Sequence, residues 1–133
     1  MRVFIVAGFI TLLSTIAGSA RAAGLTIHNE SGRRACVATS SGESLQTQGW
    51  FRIEPGTSLK ITGIKHVYAM DCDSSTRQWV LPERMMAELL CVNLTTNFQY
   101  SNPGDMTACK EAGGSGRIFY ESLDLPDYHW TLN

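Results

Sequence analysis

Residues 48–61 read Q-G-W-F-R-I-E-P-G-T-S-L-K-I and, after a short spacer, residues 65–72 read K-H-V-Y-A-M-D-C. The first half alternates. Thr47, Gly49, Phe51 and Ile53 fall on one side and Gln48, Trp50 and Arg52 on the other, the period of a strand with one buried face. Glu54-Pro55-Gly56-Thr57 then reads as a β-turn, in which proline supplies a fixed φ and glycine accepts φ > 0. Leu59 and Ile61 restart the alternation, Gly63 interrupts it, and Val67-Tyr68-Ala69-Met70 gives a further strand.

The same pattern extends in both directions. Upstream, residues 25–29 (L-T-I-H-N) alternate, residues 30–32 make a turn, and residues 34–39 form a strand with Ala35 and Val37 opposite Cys36. Downstream, residues 73–76 are a polar turn and residues 77–80 a short strand. Residues 82–90 (P-E-R-M-M-A-E-L-L) are the one helix-like piece, with proline at a plausible first position and good helix formers after it. Residues 90–93 and 95–100 are β-prone, residues 101–105 a strong turn, residues 113–116 a glycine-rich hinge, and residues 117–121 and 128–132 closing strands. Many short strands with turns every eight to twelve residues predict an all-β fold. The expected architecture is an antiparallel β-sandwich, or partly open barrel, with two disulfides and one short helical insert.

The first residues carry a different signal. A minimal basic start, Met1-Arg2, precedes an apolar run over residues 3–18, and Ala20-Arg21-Ala22 offers the small-x-small pattern of a cleavage site. Residues 1–22 are therefore expected to be a signal peptide, and residues 23–133 a single domain, periplasmic or secreted. Removing Arg2 and Arg21 moves the formal charge from −1 to about −3. That balance argues against nucleic acid as the partner, and no later stretch is long and apolar enough to span a bilayer. Cys36, Cys72, Cys91 and Cys109 all follow the leader, an even count that reads as a disulfide framework. Three pairings are open. Cys36–Cys72 and Cys91–Cys109 are preferred, closing loops that give about 4 and about 3 kcal/mol in the chain-entropy treatment.

Chemistry is harder to find. His28, His66 and His129 show none of the metal-ligand spacings, so neither a metal site nor a cofactor is expected. Asp71-Cys72-Asp73-Ser74-Ser75 reads as a turn whose carboxylates cap backbone N–H groups, not as a calcium loop. No G-x-S-x-G elbow is present. Glu43, Glu54 and Glu121 are the carboxylates from which a hydrolytic pair would have to come. The aromatics are the most suggestive set. Trp50 shares a polar strand face with Arg52, and with Tyr68 and Trp79 these make the candidate binding surface.

Taken together, Gly49, Trp50, Ile53, Glu54, Pro55 and Gly56, then Val67-Tyr68-Ala69, then Cys91-Val92, Phe98 and Cys109, and finally Gly116, Phe119 and Tyr120 form a pattern. It resembles a small bacterial family catalogued only as domain of unknown function 1036, over residues 25–132. Phe51 stands where that family has a second tryptophan, and residues 84–90 make a longer connection. The resemblance implies no established chemistry. The expected function is a binding module for an unknown protein or cell-envelope glycan, with a small envelope hydrolase using a carboxylate pair as the alternative.

Overall fold

The computed structural model describes residues 24–41, 46–82, 87–121 and 128–133; the expected leader, residues 1–22, lies outside them. In β1 (Gly24–Asn29) the residues Leu25 and Ile27 point inward, and Thr26 and His28 outward. β2 (Ala35–Ser41) and β3 (Gln46–Ile53) follow. The turn after Ile53 forms as its sequence predicts: the Thr57 N–H donates to the Glu54 carbonyl at 3.1 Å, with Gly56 at φ 77°. Beyond it come β4 (Ser58–Thr62), β5 (Ile64–Asp71), β6 (Ser74–Trp79), β7 (Ala87–Val92) and β8 (Phe98–Ser101). The helix α1 (Met106–Glu111) precedes β9 (Ser115–Glu121) and β10 (Tyr128–Leu132).

These strands form two sheets. The smaller runs β10-β1-β4, with β1 and β10 parallel. The larger runs β7-β9-β5-β2-β3-β8 and forks at β5. One edge of β5 pairs with β2; the other takes β9 at His66 and Val67 and β6 from Ala69 to Asp71. The large sheet then curls on itself. The Thr47 hydroxyl donates to the Cys91 carbonyl at 2.7 Å, and the Cys91 N–H donates to the Pro103 carbonyl at 2.8 Å. The fold is thus a half-barrel with a second sheet packed on its outside, which satisfies both expected descriptions.

Two cores result. Between the sheets, Leu25, Ile27, Trp130 and Leu132 meet Ala35, Val37, Ile53, Val67 and Tyr120. Inside the curl lie Cys36, Ala38, Tyr68, Met70, Leu90, Val92 and Phe119. The central strands β2 and β5 feed both, so they are buried on both faces, from Ala35 to Ser40 and from His66 to Asp71. Both preferred disulfides are present, Cys36–Cys72 and Cys91–Cys109.

Three local expectations need correction. The ladder between β2 and β3 shifts register between Val37 and Thr39, placing one extra residue on β3. This bulge moves Thr47 to the same side as Trp50, so strict alternation over residues 47–53 does not hold. The helix expected over residues 82–90 is contradicted at Ala87–Val92, which is strand β7; residues 83–86 lie outside the description. Here tertiary pairing overrides helix propensity. β7 makes a full ladder with β9, while Leu90 and Val92 fill the inner core and Cys91 is held by its disulfide. The turn expected over residues 73–76 closes earlier, and Ser74 already belongs to β6. The helix instead follows Asp105, whose carboxylate accepts from the Thr107 and Ala108 N–H groups at 3.1 Å each. That is an N-cap, with Gly113 at φ 77° just past the far end.

Candidate functional site

At one end of the curled sheet the chain leaves a cleft of about 290 Å³. It is lined by the Cys36–Cys72 disulfide and buried Met70, by Trp50 and Arg52 of β3, by Thr95, Thr96 and Asn97, and by Arg34 and Asp73. Each wall has a local cause. The segment 93–97 is shaped by Asn93, whose side-chain oxygen accepts from the Thr95 N–H at 3.0 Å and the Thr96 N–H at 3.2 Å. It is stitched to β3 by the Trp50 N–H, which donates to Asn97 Oδ1 at 3.1 Å.

Trp50 is half-buried and fully engaged. Its indole N–H donates to the Asn93 carbonyl at 2.8 Å, and its ring meets Phe98 edge-on at 5.3 Å and Tyr68 at 6.0 Å. Arginines crowd this end of the sheet, and most are neutralised. Buried Asp71 pairs with Arg33 at 3.1 Å, lies 3.9 Å from Arg77, and accepts from the Asp73 N–H at 2.9 Å. That is the capping role expected for the Asp71–Asp73 turn. Arg34 meets Glu54 at 3.2 Å. Arg52 differs: it is exposed and has no ion-pair partner among the described residues.

The four residues expected to share a binding surface do not come together. Trp50 and Arg52 line the cleft. Tyr68 is fully buried beneath Trp50, stacked on Phe119 at 5.6 Å, because β5 is the central strand and has no solvent face. Burial pushes its phenol pKa up, with the Arg117 guanidinium pulling the other way. Trp79 lies against the other core, its indole N–H donating to the Asn133 carbonyl at 3.0 Å. The missed contributors are Arg34, Asn93 and Asn97. The run N-L-T-T-N held the signal, since asparagine and threonine favour side-chain turns over strand.

The carboxylates do not converge either. Glu54 lies beside Arg34 near the Asp71 end of β5, whereas Glu121 pairs across from His66. Five residues of strand separate those ends, about 17 Å. Glu43 lies outside the described residues. A line of Ser40, His66 and partly exposed Glu88 does exist, with Ser40 Oγ 3.0 Å from His66 Nδ1 and His66 Nε2 3.8 Å from Glu88 Oε2. Ser40 and His66 are completely buried, so no substrate reaches that hydroxyl. Among the described residues no helix is long and apolar enough to cross a membrane. No family model matches the chain, and neither a curated protein nor a solved structure matches it.

Proposed function

We propose that the protein is an exported, non-catalytic binding module that holds a protein or cell-envelope glycan through the Trp50–Arg52 cleft. One observation carries this reading: Arg52 stands exposed in the cleft without an ion-pair partner among the described residues, beside an indole braced from below. A free guanidinium presents a planar fork that matches carboxylate or phosphate, and an indole face accepts a sugar ring or an apolar side chain. Export rests on the reading of residues 1–22 and is supported by the two disulfides, which persist in oxidising compartments. Kinship with domain of unknown function 1036 belongs to the same proposal and rests on Gly49, Trp50 and the Ile53–Gly56 turn together with Val67-Tyr68-Ala69, Cys91-Val92 and Cys109.

The test is affinity capture by the oxidised protein from an envelope extract of its host, with a glycan array in parallel and Arg52→Glu as the control bait. Trp50→Ala is the poorer control, because removing that ring from the rim of the inner core costs about 3 kcal/mol. A ligand retained by the wild type and lost with Arg52→Glu, at unchanged thermal stability, is the expected result. A ligand held equally by both baits takes the cleft out of the function.

A further inference from the structure

We propose that His28 and His129 form a binding site for a divalent transition-metal ion of the nickel(II) or copper(II) type, on the outer face of the three-stranded sheet. The two residues are 101 positions apart, and the parallel pairing of β1 with β10 brings them together. In that ladder Thr26 lies opposite His129 and His28 opposite Thr131, so the histidines are diagonal neighbours on the face turned away from the core. His28 Nε2 lies 2.7 Å from His129 Nδ1. The ring planes differ by only 8°, with centroids 5.0 Å apart. Two ring radii plus the nitrogen contact account for that separation. The imidazoles therefore lie end to end in nearly one plane, with one hydrogen between the two nitrogens.

Imidazole nitrogen is the preferred donor of these metals. A metal–nitrogen bond of about 2.0–2.1 Å sets two imidazole nitrogens about 2.9 Å apart at a right angle and about 3.4 Å apart at the tetrahedral angle. The 2.7 Å pair is near the spacing of the right-angled arrangement, but the facing nitrogens now point at each other, so each ring must swing by about 45° before both lone pairs meet one ion. With the ion bound, His28 Nε2 and His129 Nδ1 are the two donors and the hydrogen bond between the rings is given up. His28 is already oriented from behind, its Nδ1 lying 2.6 Å from Ser58 Oγ on β4. Such an outer partner fixes the tautomer and rotation of a ligating histidine. Lys60 lies opposite Thr26 on this face and its charge opposes a bound cation. The third histidine, His66, is fully buried and cannot compete.

The experiment is a titration of the full, untagged protein with nickel(II) chloride, followed by calorimetry and by imidazole nitrogen NMR. One ion per chain is expected, with resonances of His28 and His129 displaced and those of His66 unmoved. His28→Gln and His129→Gln should each weaken binding at least about tenfold, and the double variant should be no worse than either single one, since chelation needs both rings. Circular dichroism confirms that these surface variants fold. No heat or shift up to about millimolar nickel, or binding that survives either substitution, overturns the site.

Discussion

The side-chain amide of Asn29 donates to the Ile53 carbonyl at 2.8 Å, joining the last residue of β1 in the small sheet to the last residue of β3 in the large one. Its second N–H donates to the Arg33 carbonyl at 2.6 Å. Its oxygen accepts from the Ser31 N–H at 3.1 Å and the Ser31 hydroxyl at 2.7 Å. The amide thus uses all of its hydrogen-bonding capacity while almost wholly buried. Its backbone also meets the I-E-P-G turn, through Thr57 and Gly56.

Asn29→Ala should therefore destabilise the fold by about 3 kcal/mol, because it leaves buried carbonyls without donors and removes no bulky apolar group. Asn29→Asp should cost a similar amount, since a carboxylate cannot donate to Ile53 and Arg33. Chemical denaturation of the two variants checks this. A loss well under 1 kcal/mol in both would mean that water replaces the amide.

Tyr68 presents the opposite case. Its hydroxyl is buried, and the Arg117 guanidinium acts on it without making a hydrogen bond of full geometry. Tyr68→Phe removes a desolvated group and keeps the ring against Trp50 and Phe119, so it should be neutral or stabilise by about 1 kcal/mol. The midpoint of urea unfolding reads this directly. A clear destabilisation would show that the Arg117 guanidinium outweighs the desolvation of the hydroxyl.

His66 should make the fold acid-sensitive. Burial lowers its pKa below the ordinary 6.5, with Lys65 acting in the same direction and Glu88 and Glu121 opposing. The unfolded chain therefore binds the proton more readily than the native one, so stability rises with pH across this window. It is fully present above about 6.5 and is lost as pH falls from there through the folded-state value. Unfolding free energies of wild type and His66→Gln, measured between pH 8 and about pH 4, should converge on the acid side. Parallel curves would remove His66 as the cause.

The residues that announce this fold are those whose environment is set locally. Pro55 and Gly56 define the turn whatever lies around them, and Leu25 and Ile27 alternate because the small sheet has a true outer face. Sequence fails where a distant partner decides. Residues 87–90 carry helix formers, yet the ladder with β9 makes them strand. The bulge in β3 displaces Thr47 by one face, which no period of two can reveal. Trp50 and Arg52 are legible as an aromatic and a cation on one face, but the rest of the lining includes residues 94–97, which distant hydrogen bonds fasten to Trp50. Tyr68 and Trp79 fall away from that surface, because a strand sequence does not say which of its faces another sheet will cover.

The two disulfides should fail differently when removed. Cys36–Cys72 links β2 to the end of β5, strands already paired through Cys36 and Met70 and through the Cys72 N–H to the Arg34 carbonyl. Its replacement by serines should cost about 4 kcal/mol globally, through the unfolded chain, while the ladder stays formed. Cys91–Cys109 holds α1, which has only six residues and is too short to persist alone. Gly114 completes that clamp: a Cβ there would come within 2.5 Å of the Cys91 sulfur and 2.8 Å of the Cys109 sulfur. Replacing Cys91 and Cys109 by serine should cost about 3 kcal/mol and also release the helix locally. Hydrogen exchange separates the two outcomes. Protection of the α1 amides should vanish in the Cys91/Cys109 variant while β2 and β5 remain slow, and should survive in the Cys36/Cys72 variant. Equal loss across the whole sheet in the Cys91/Cys109 variant would show that α1 is part of the global folding unit and not a clamped appendage.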